Sequence, residues 1–424
     1  MKRFLMVLLS VSILLSTGVT SLAEEQVTLD LFSFAVEYAD QYQQLAEIYM
    51  QSHPNVKVNV EIGTDEILRT KMASGEYPEI FACEGPQEIL DWLDYLEDLS
   101  DQPWVEHVLP GMLDGATIDG KVYGVPNTIL GYGYVYNKRI FEAAGIDAAE
   151  LDTFDKIEAA FALLKEKIDS GELREQFPLL EAVMETAGAE YWIYGKHTAN
   201  MALALELGNS LNAVQAESIE FTYSDALKEL TDQQIRYTTN AETPYALTAV
   251  DYSMQIGGGF AIERVAVIQQ GNWIYLEVKG IDPEVAENMG FLPLPMKGVK
   301  EDSICCGVGA YDVVNKMSSE AEKAAAKDWL NWLYQTEEGQ NLCLDVMSMN
   351  PPFDNFVDKT GRLDVLMESA NEYLEEGKII DTAFTGFPTG FPEKMNELFQ
   401  AYCSDLISWD DVKTQAIEAW SALR

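Results

Sequence analysis

Val27-Thr-Leu-Asp-Leu-Phe-Ser-Phe34, Val56-Lys-Val-Asn-Val-Glu-Ile62 and Pro78-Glu-Ile-Phe-Ala-Cys83 decide the fold. The first two alternate apolar and polar residues with the period of a strand; the third is nearly continuously apolar, as in a strand covered on both faces. Between them, Tyr38 to Gln51 sets Tyr42, Leu45, Ile48 and Tyr49 at helical spacing and is broken by His53-Pro54-Asn55. Asp65 to Ala73 predicts a second helix, stopped at Ser74-Gly75. Strand, helix, strand, helix, strand is the pattern of a parallel sheet with helices on both faces.

The same grammar restarts with a strand at Gly133 to Tyr136, helices at Phe154 to Ser170 and Ala199 to Asn209, and a strand at Val265 to Gln269. A late helix, Ser319 to Tyr334, carries Ala321, Ala324, Ala325, Trp329, Leu330 and Leu333 along an apolar face. Two sheet-based lobes follow. No Ser/Gly/Pro linker and no repeat of fixed period separates them, so the chain is expected to pass between lobes more than once.

With 424 residues and 47% hydrophobic side chains, the chain can bury two or three domain-sized cores. Met1-Lys2-Arg3, the apolar run Phe4 to Leu15 and Ser21-Leu22-Ala23 read as a secretory leader over residues 1–23. That run is too short for a membrane span, and no later segment offers eighteen unbroken apolar residues. The first cysteine is Cys83, so no lipid-modified cysteine follows the leader. The expected location is periplasmic or extracellular. Lysine plus arginine number 28 against 70 acidic residues, a net charge of −42 that repels nucleic acid and anionic membranes and keeps an exported protein soluble. Five cysteines make no disulfide scaffold, although a single Cys343–Cys403 bridge stays open. Three scattered histidines and no paired Cys-x-x-Cys argue against a metal site, and nothing calls for a cofactor.

Lys71-Met-Ala-Ser-Gly-Glu-Tyr-Pro-Glu-Ile-Phe81, Asp119-Gly-Lys-Val-Tyr-Gly-Val-Pro126 and Tyr134-Val-Tyr-Asn-Lys-Arg-Ile-Phe-Glu-Ala-Ala-Gly-Ile146 carry a resemblance. So do Ala266-Val-Ile-Gln-Gln-Gly-Asn-Trp273, Gly290-Phe-Leu-Pro-Leu-Pro295, Gly307-Val-Gly-Ala-Tyr-Asp-Val-Val314 and Thr336-Glu-Glu-Gly-Gln340. In order and spacing they resemble the bacterial extracellular solute-binding proteins of family 1, the sugar-binding components of ABC importers. Glu79 replaces the usual Asp, and the lipobox cysteine is missing. The resemblance implies an α/β, two-lobed periplasmic-binding-protein fold of type II, each lobe a central mostly parallel sheet flanked by helices, joined by a multi-strand hinge. It implies a first lobe of 24–129 plus 301–336 and a second of 130–300 plus 337–424. It further implies a monomer that carries a small-molecule carbohydrate to membrane permease subunits.

A sugar offers hydroxyls at its rim and C–H patches on its faces, so its site needs aromatic planes together with carboxylates or amides. In open sheets such groups lie beyond the carboxyl ends of strands. That rule nominates Glu84 after the third strand and Ser33 and Glu37 after the first. At the crossing between lobes, Asn127 and Tyr132 are candidates, although Asn127 equally suits hinge chemistry. Trp273 matches the position whose ring stacks on ligand in the family, with Asn272 beside it. Trp192, in Tyr191-Trp192-Ile-Tyr194, is a second aromatic candidate whose default is core packing. Gly307 suits close backbone approach, and Phe387 lies in the turn-rich Phe384-Thr-Gly-Phe387-Pro-Thr-Gly-Phe391-Pro.

No Gly-x-Ser-x-Gly, phosphate loop or His-Glu-x-x-His occurs, so no catalytic residue is assigned and the chain is read as a carrier, not an enzyme. Three other readings stand beside the sugar carrier. They are a binding protein for a polyamine or other small cation, a secreted carbohydrate hydrolase whose paired acids are recognised only in space, and a surface interaction protein.

Overall fold

The computed structural model describes residues 26–424, so the expected leader lies outside the described residues. β1 (Val27–Ser33) and β2 (Val56–Ile62) pair in parallel from Val27↔Val56 to Ser33↔Ile62, and β3 (Ile80–Cys83) lies parallel on the other edge of β1. The connecting helices are α1 (Ala39–Ser52) and α2 (Asp65–Ser74). α1 buries Tyr42, Leu45, Ala46 and Tyr49. α2 starts where Thr64 Oγ1 accepts the Ile67 amide and stops at Gly75, whose φ of +84° is the left-handed conformation glycine adopts without cost. The short α3 (Pro86–Trp92) follows β3, and β4 (Gly124–Pro126) ends this part of the chain.

The second sheet is built on β5 (Ile129–Asn137), which runs from the crossing into the far lobe. α4 (Phe154–Ser170) is capped by Thr153 and stopped by Gly171; β6 (Ala182–Glu185), α5 (Ala199–Leu207) and β7 (Val265–Gly271) follow. After α6 (Tyr275–Ile281) come β8 (Met289–Leu292) and β9 (Ile304–Val308). The chain then returns as β10 (Tyr311–Val314), which inserts antiparallel between β3 and β4. α7 (Glu320–Gln335) begins with a reciprocal Ser319/Glu322 cap. α8 (Glu337–Asp345), α9 (Val365–Glu375), β11 (Ile379–Ile380), α10 (Phe391–Cys403) and α11 (Trp409–Leu423) complete the chain. The sheet orders are β2-β1-β3-β10-β4 and β11-β9-β5-β7-β6, with β8 paired to β5.

The sheets are mixed rather than mostly parallel. β5 opposes β7, β8 and β9, and β10, which enters its sheet directly from the crossing, opposes both its neighbours. The second and third crossings fall later than expected. Ile304–Val308 belongs to the second sheet, so the return is at Gly309-Ala310 and not at 301. α8 stays on the first lobe: Trp332 Nε1 of α7 donates to Glu338 Oε2 at 3.0 Å. Phe353 stacks on Tyr334 with ring centroids 5.3 Å apart, which keeps this later segment there too. In α7 the buried face is Ala326, Trp329, Leu330, Trp332, Leu333 and Tyr334. Ala321 and Ala324 are exposed.

Three chain segments meet where the lobes join, and two side chains stitch them. Asn127 N donates to Ala310 O (3.0 Å) while Asn127 Oδ1 accepts the Ala310 amide (3.2 Å). Thr128 O accepts the Gly309 amide (2.9 Å), and Thr128 Oγ1 accepts the Asn350 amide (3.0 Å). Ile129 N closes the set on Asn350 O at 3.0 Å. Cys343 and Cys403, the pair open to a bridge, are thiols on α8 and α10. Among the described residues no helix is long and apolar enough to cross a membrane.

Candidate functional site

Four elements of the second lobe bring aromatic rings to one place. Tyr132 comes from β5, Trp192 and His197 from the entry and the body of a π-helical turn (Ile193–Thr198), Trp273 from the tight turn Asn272–Ile274 after β7, and Phe384 from the turn Ala383–Gly386. His197 is the centre. It stacks on Tyr132 at 4.2 Å and 19°, and meets Trp273 (5.3 Å), Phe384 (5.3 Å) and Trp192 (5.4 Å) at steeper angles. Tyr252 extends the surface beyond Trp192, at 5.8 Å.

Trp273 is held from below and from the side. Its ring lies against Gly271, where a Cβ would come within 1.9 Å of the indole, so only glycine leaves room. Its Nε1 donates to Gln270 Oε1 (3.0 Å), Gln270 Nε2 to Gln255 Oε1 (2.8 Å), and Gln255 Nε2 to the Glu185 carbonyl (2.9 Å). All three glutamine and tryptophan side chains are buried, and the fully satisfied chain of bonds fixes the ring orientation.

Two carboxyl side chains of the first lobe reach this part of the second, Glu37 beside Glu277 and Tyr252, and Glu84 on Lys196. Glu37 is half-buried, and burial, reinforced by the neighbouring Glu277 carboxylate, pushes its carboxyl up to about 7. Glu277 of α6 is raised by burial against the opposing effect of the Tyr252 hydroxyl. Glu84 pairs with Lys196 of the π-helical turn, and burial together with Glu84 raises Glu88 to about 8. Burial and the adjacent Lys196 drive His197 down to about 3, so its imidazole is neutral at pH 7.

The lobes touch directly on the α3 side. Besides Lys196–Glu84, Thr389 Oγ1 donates to Asp91 Oδ2 (2.7 Å) and Arg424 Nη1 to Gln87 Oε1 (2.6 Å). Gly85 is so close to Thr385 that a Cβ would stand 2.6 Å from it. A groove of about 510 Å³ along Glu337–Val346 holds none of the nominated residues.

Trp192 and Trp273 are thus brought together, with Glu37 and Glu84 approaching from the first lobe, while Tyr132, 1% exposed, is packed behind His197 and donates its hydroxyl to the His197 carbonyl at 3.1 Å. The other nominated positions have structural occupations. Asn127 serves the hinge as described. Ser33 Oγ, 3% exposed, accepts the Ala35 amide at 3.2 Å and shapes the end of β1. Asn272 is 2% exposed; its Oδ1 accepts the Gly131 amide and its Nδ2 donates to Ile129 O, bracing β5. Gly307 admits Thr382, whose Oγ1 would be 2.5 Å from a Cβ there. Phe387 lies in the core between Phe391 and Trp420, at 5.5 and 5.3 Å. Sequence reasoning missed His197, Lys196, Tyr252, Glu277 and Phe384. The only signal for the first two was their place just after Tyr191-Trp192-Ile-Tyr194.

Residues 30–340 match the family described as bacterial extracellular solute-binding protein. The chain belongs to this family. A multiple sugar-binding protein of Streptococcus mutans is 23% identical over 314 residues, 71% of this chain and 70% of the relative. Among solved structures, a chitin oligosaccharide binding protein superposes with a TM-score of 0.73 at 17% identity, covering 94% of this chain and 99% of the other. A Bacillus licheniformis sugar transporter in complex with stachyose gives 0.69 at 17% identity, covering 94% and 100%. These likenesses show the two-lobed solute-binding fold, and membership makes the chain an extracellular solute-binding protein.

Proposed function

We propose that this solute-binding protein captures an oligosaccharide between its lobes and presents it, as a monomer, to the permease of an ABC importer. The observation that carries the reading is the convergence of Trp192 and Trp273 around His197, over the buried Tyr132, with the carboxyls of Glu37 and Glu84 brought up to Glu277 and Lys196 from the first lobe. Aromatic faces suit the C–H patches of sugar rings, and carboxylates accept from paired hydroxyls. The names of the S. mutans and B. licheniformis relatives support the same ligand class. Hinge closure about residues 127–129, 309–310 and 350 would be stabilised in proportion to a ligand's preference for the closed form.

The test is the melting temperature of the mature protein against mono- and oligosaccharides, polyamines and amino acids, with product analysis of each mixture. A saturable rise with one glycan family and no product supports the carrier. Response to spermidine alone moves the assignment to a cation, a reading favoured by Glu37 and Glu277 standing together; glycan turnover moves it to a hydrolase.

A further inference from the structure

His197 is more than nine-tenths buried, yet its Nδ1 has no hydrogen-bond partner. Buried polar atoms are almost always satisfied, so an orphan in a native fold calls for an explanation. Packing alone does not supply one, since a phenylalanine would stack on Tyr132 equally well without leaving a nitrogen unpaired. The surroundings give a better one. The ring lies on the buried Tyr132 and between Trp192 and Trp273, the two aromatic residues that carry the carbohydrate reading, and its own turn reaches across the cleft through Lys196 to Glu84.

We propose that His197 is a specificity-determining residue whose Nδ1 hydrogen-bonds a hydroxyl of an uncharged glycan; this rests on the carbohydrate reading above. Because the imidazole is neutral, it offers one donor and one acceptor instead of two donors, which matches a hydroxyl and gives no attraction to a carboxylate.

The test compares wild type with His197→Phe, His197→Leu and His197→Asn by calorimetric titration and thermal melting. The probes are raffinose, stachyose, maltose and chitotriose, with trigalacturonate as the anionic arm. His197→Phe keeps the ring and removes the nitrogen, and His197→Leu reads the same loss if the larger ring fails to fit. Asn returns a polar atom near the Nδ1 position. The expected result is a ligand-free melting temperature in His197→Phe no lower than in wild type. Its affinity for the sugar that wild type binds falls about tenfold to a hundredfold, the range for stranding a buried polar partner. His197→Asn keeps most of that affinity, and trigalacturonate binds to none of the proteins. Wild-type affinity in both His197→Phe and His197→Leu overturns the role of His197 while leaving the carbohydrate reading intact, and so does trigalacturonate as the preferred ligand overturn the uncharged-glycan assignment. Wild type that binds none of the neutral sugars but responds to spermidine overturns the carbohydrate reading, and this inference with it.

Discussion

Replacing Glu37 with Gln should stabilise the protein in alkaline solution and leave it unchanged in acid. Glu37 holds a proton up to about pH 7, against 4.5 for an ordinary glutamate, because burial beside Glu277 penalises its charge. The folded state therefore keeps a proton that the unfolded chain releases. The associated stability is fully present below about pH 4.5 and is lost as the pH rises through 7. At about 1.36 kcal/mol per unit the penalty at pH 8.5 approaches about 3 kcal/mol, and the water that a half-buried side chain retains lowers it to about 2 kcal/mol. Glutamine carries no charge to penalise. In scanning calorimetry, Glu37→Gln should melt about 2–3 °C above wild type at pH 8.5 and within about 1 °C of it at pH 4.5. An equal gain at both pH values, or a loss at pH 8.5, would show that the Glu37 carboxyl is not held in the environment described.

The remaining expectations concern the hinge, the cleft and the inter-lobe contact. Gly271→Ala puts a methyl 1.9 Å from the Trp273 ring, so the indole must leave Gln270. Tryptophan emission should shift to the red at a cost of about 1–3 kcal/mol, and an unchanged spectrum would contradict the packing. Lys196→Met strands Glu84 beside Glu88 and should favour opening by about 3 kcal/mol. Small-angle scattering should then report a larger radius of gyration, with Lys196→Met/Glu84→Gln closer to wild type. Thr128→Val removes the acceptor for the buried Asn350 amide and should lower stability to urea by about 1–3 kcal/mol; no measurable change would mean that the crossing is not held there.

The parallel β1–β3 unit was legible because the alternation of Val27–Ser33 and Val56–Ile62, the apolar run before Cys83 and the stop at Ser74-Gly75 all agree on the same boundaries. The crossings were less so. Ile304-Cys-Cys-Gly-Val308 reads as an apolar strand without saying which sheet it joins, and the hinge is made by backbone bonds to Asn127 and Thr128 rather than by a glycine–proline break. Trp273 was nominated by its motif, but the glycine beneath it and the glutamines beside it show their role only in space. His197 stood alone in sequence; its neighbours come from positions 132, 192, 273 and 384, which no local pattern connects. Phe387 failed for the converse reason, since an aromatic in a turn-rich stretch looks the same whether it packs against Trp420 or meets a sugar.

The position of β10 has a consequence for the order of events during synthesis. Until Tyr311–Val314 has been made, Ile80–Cys83 has a bare edge and Gly124–Pro126 has no strand to pair with, so the first sheet stays unfinished while the whole of β5 to β9 is added. A chain destined for the outside of the cell is thereby kept from completing its amino-terminal half early. The same delay leaves an apolar strand edge unprotected, a hazard that must be covered by a chaperone or outrun by export.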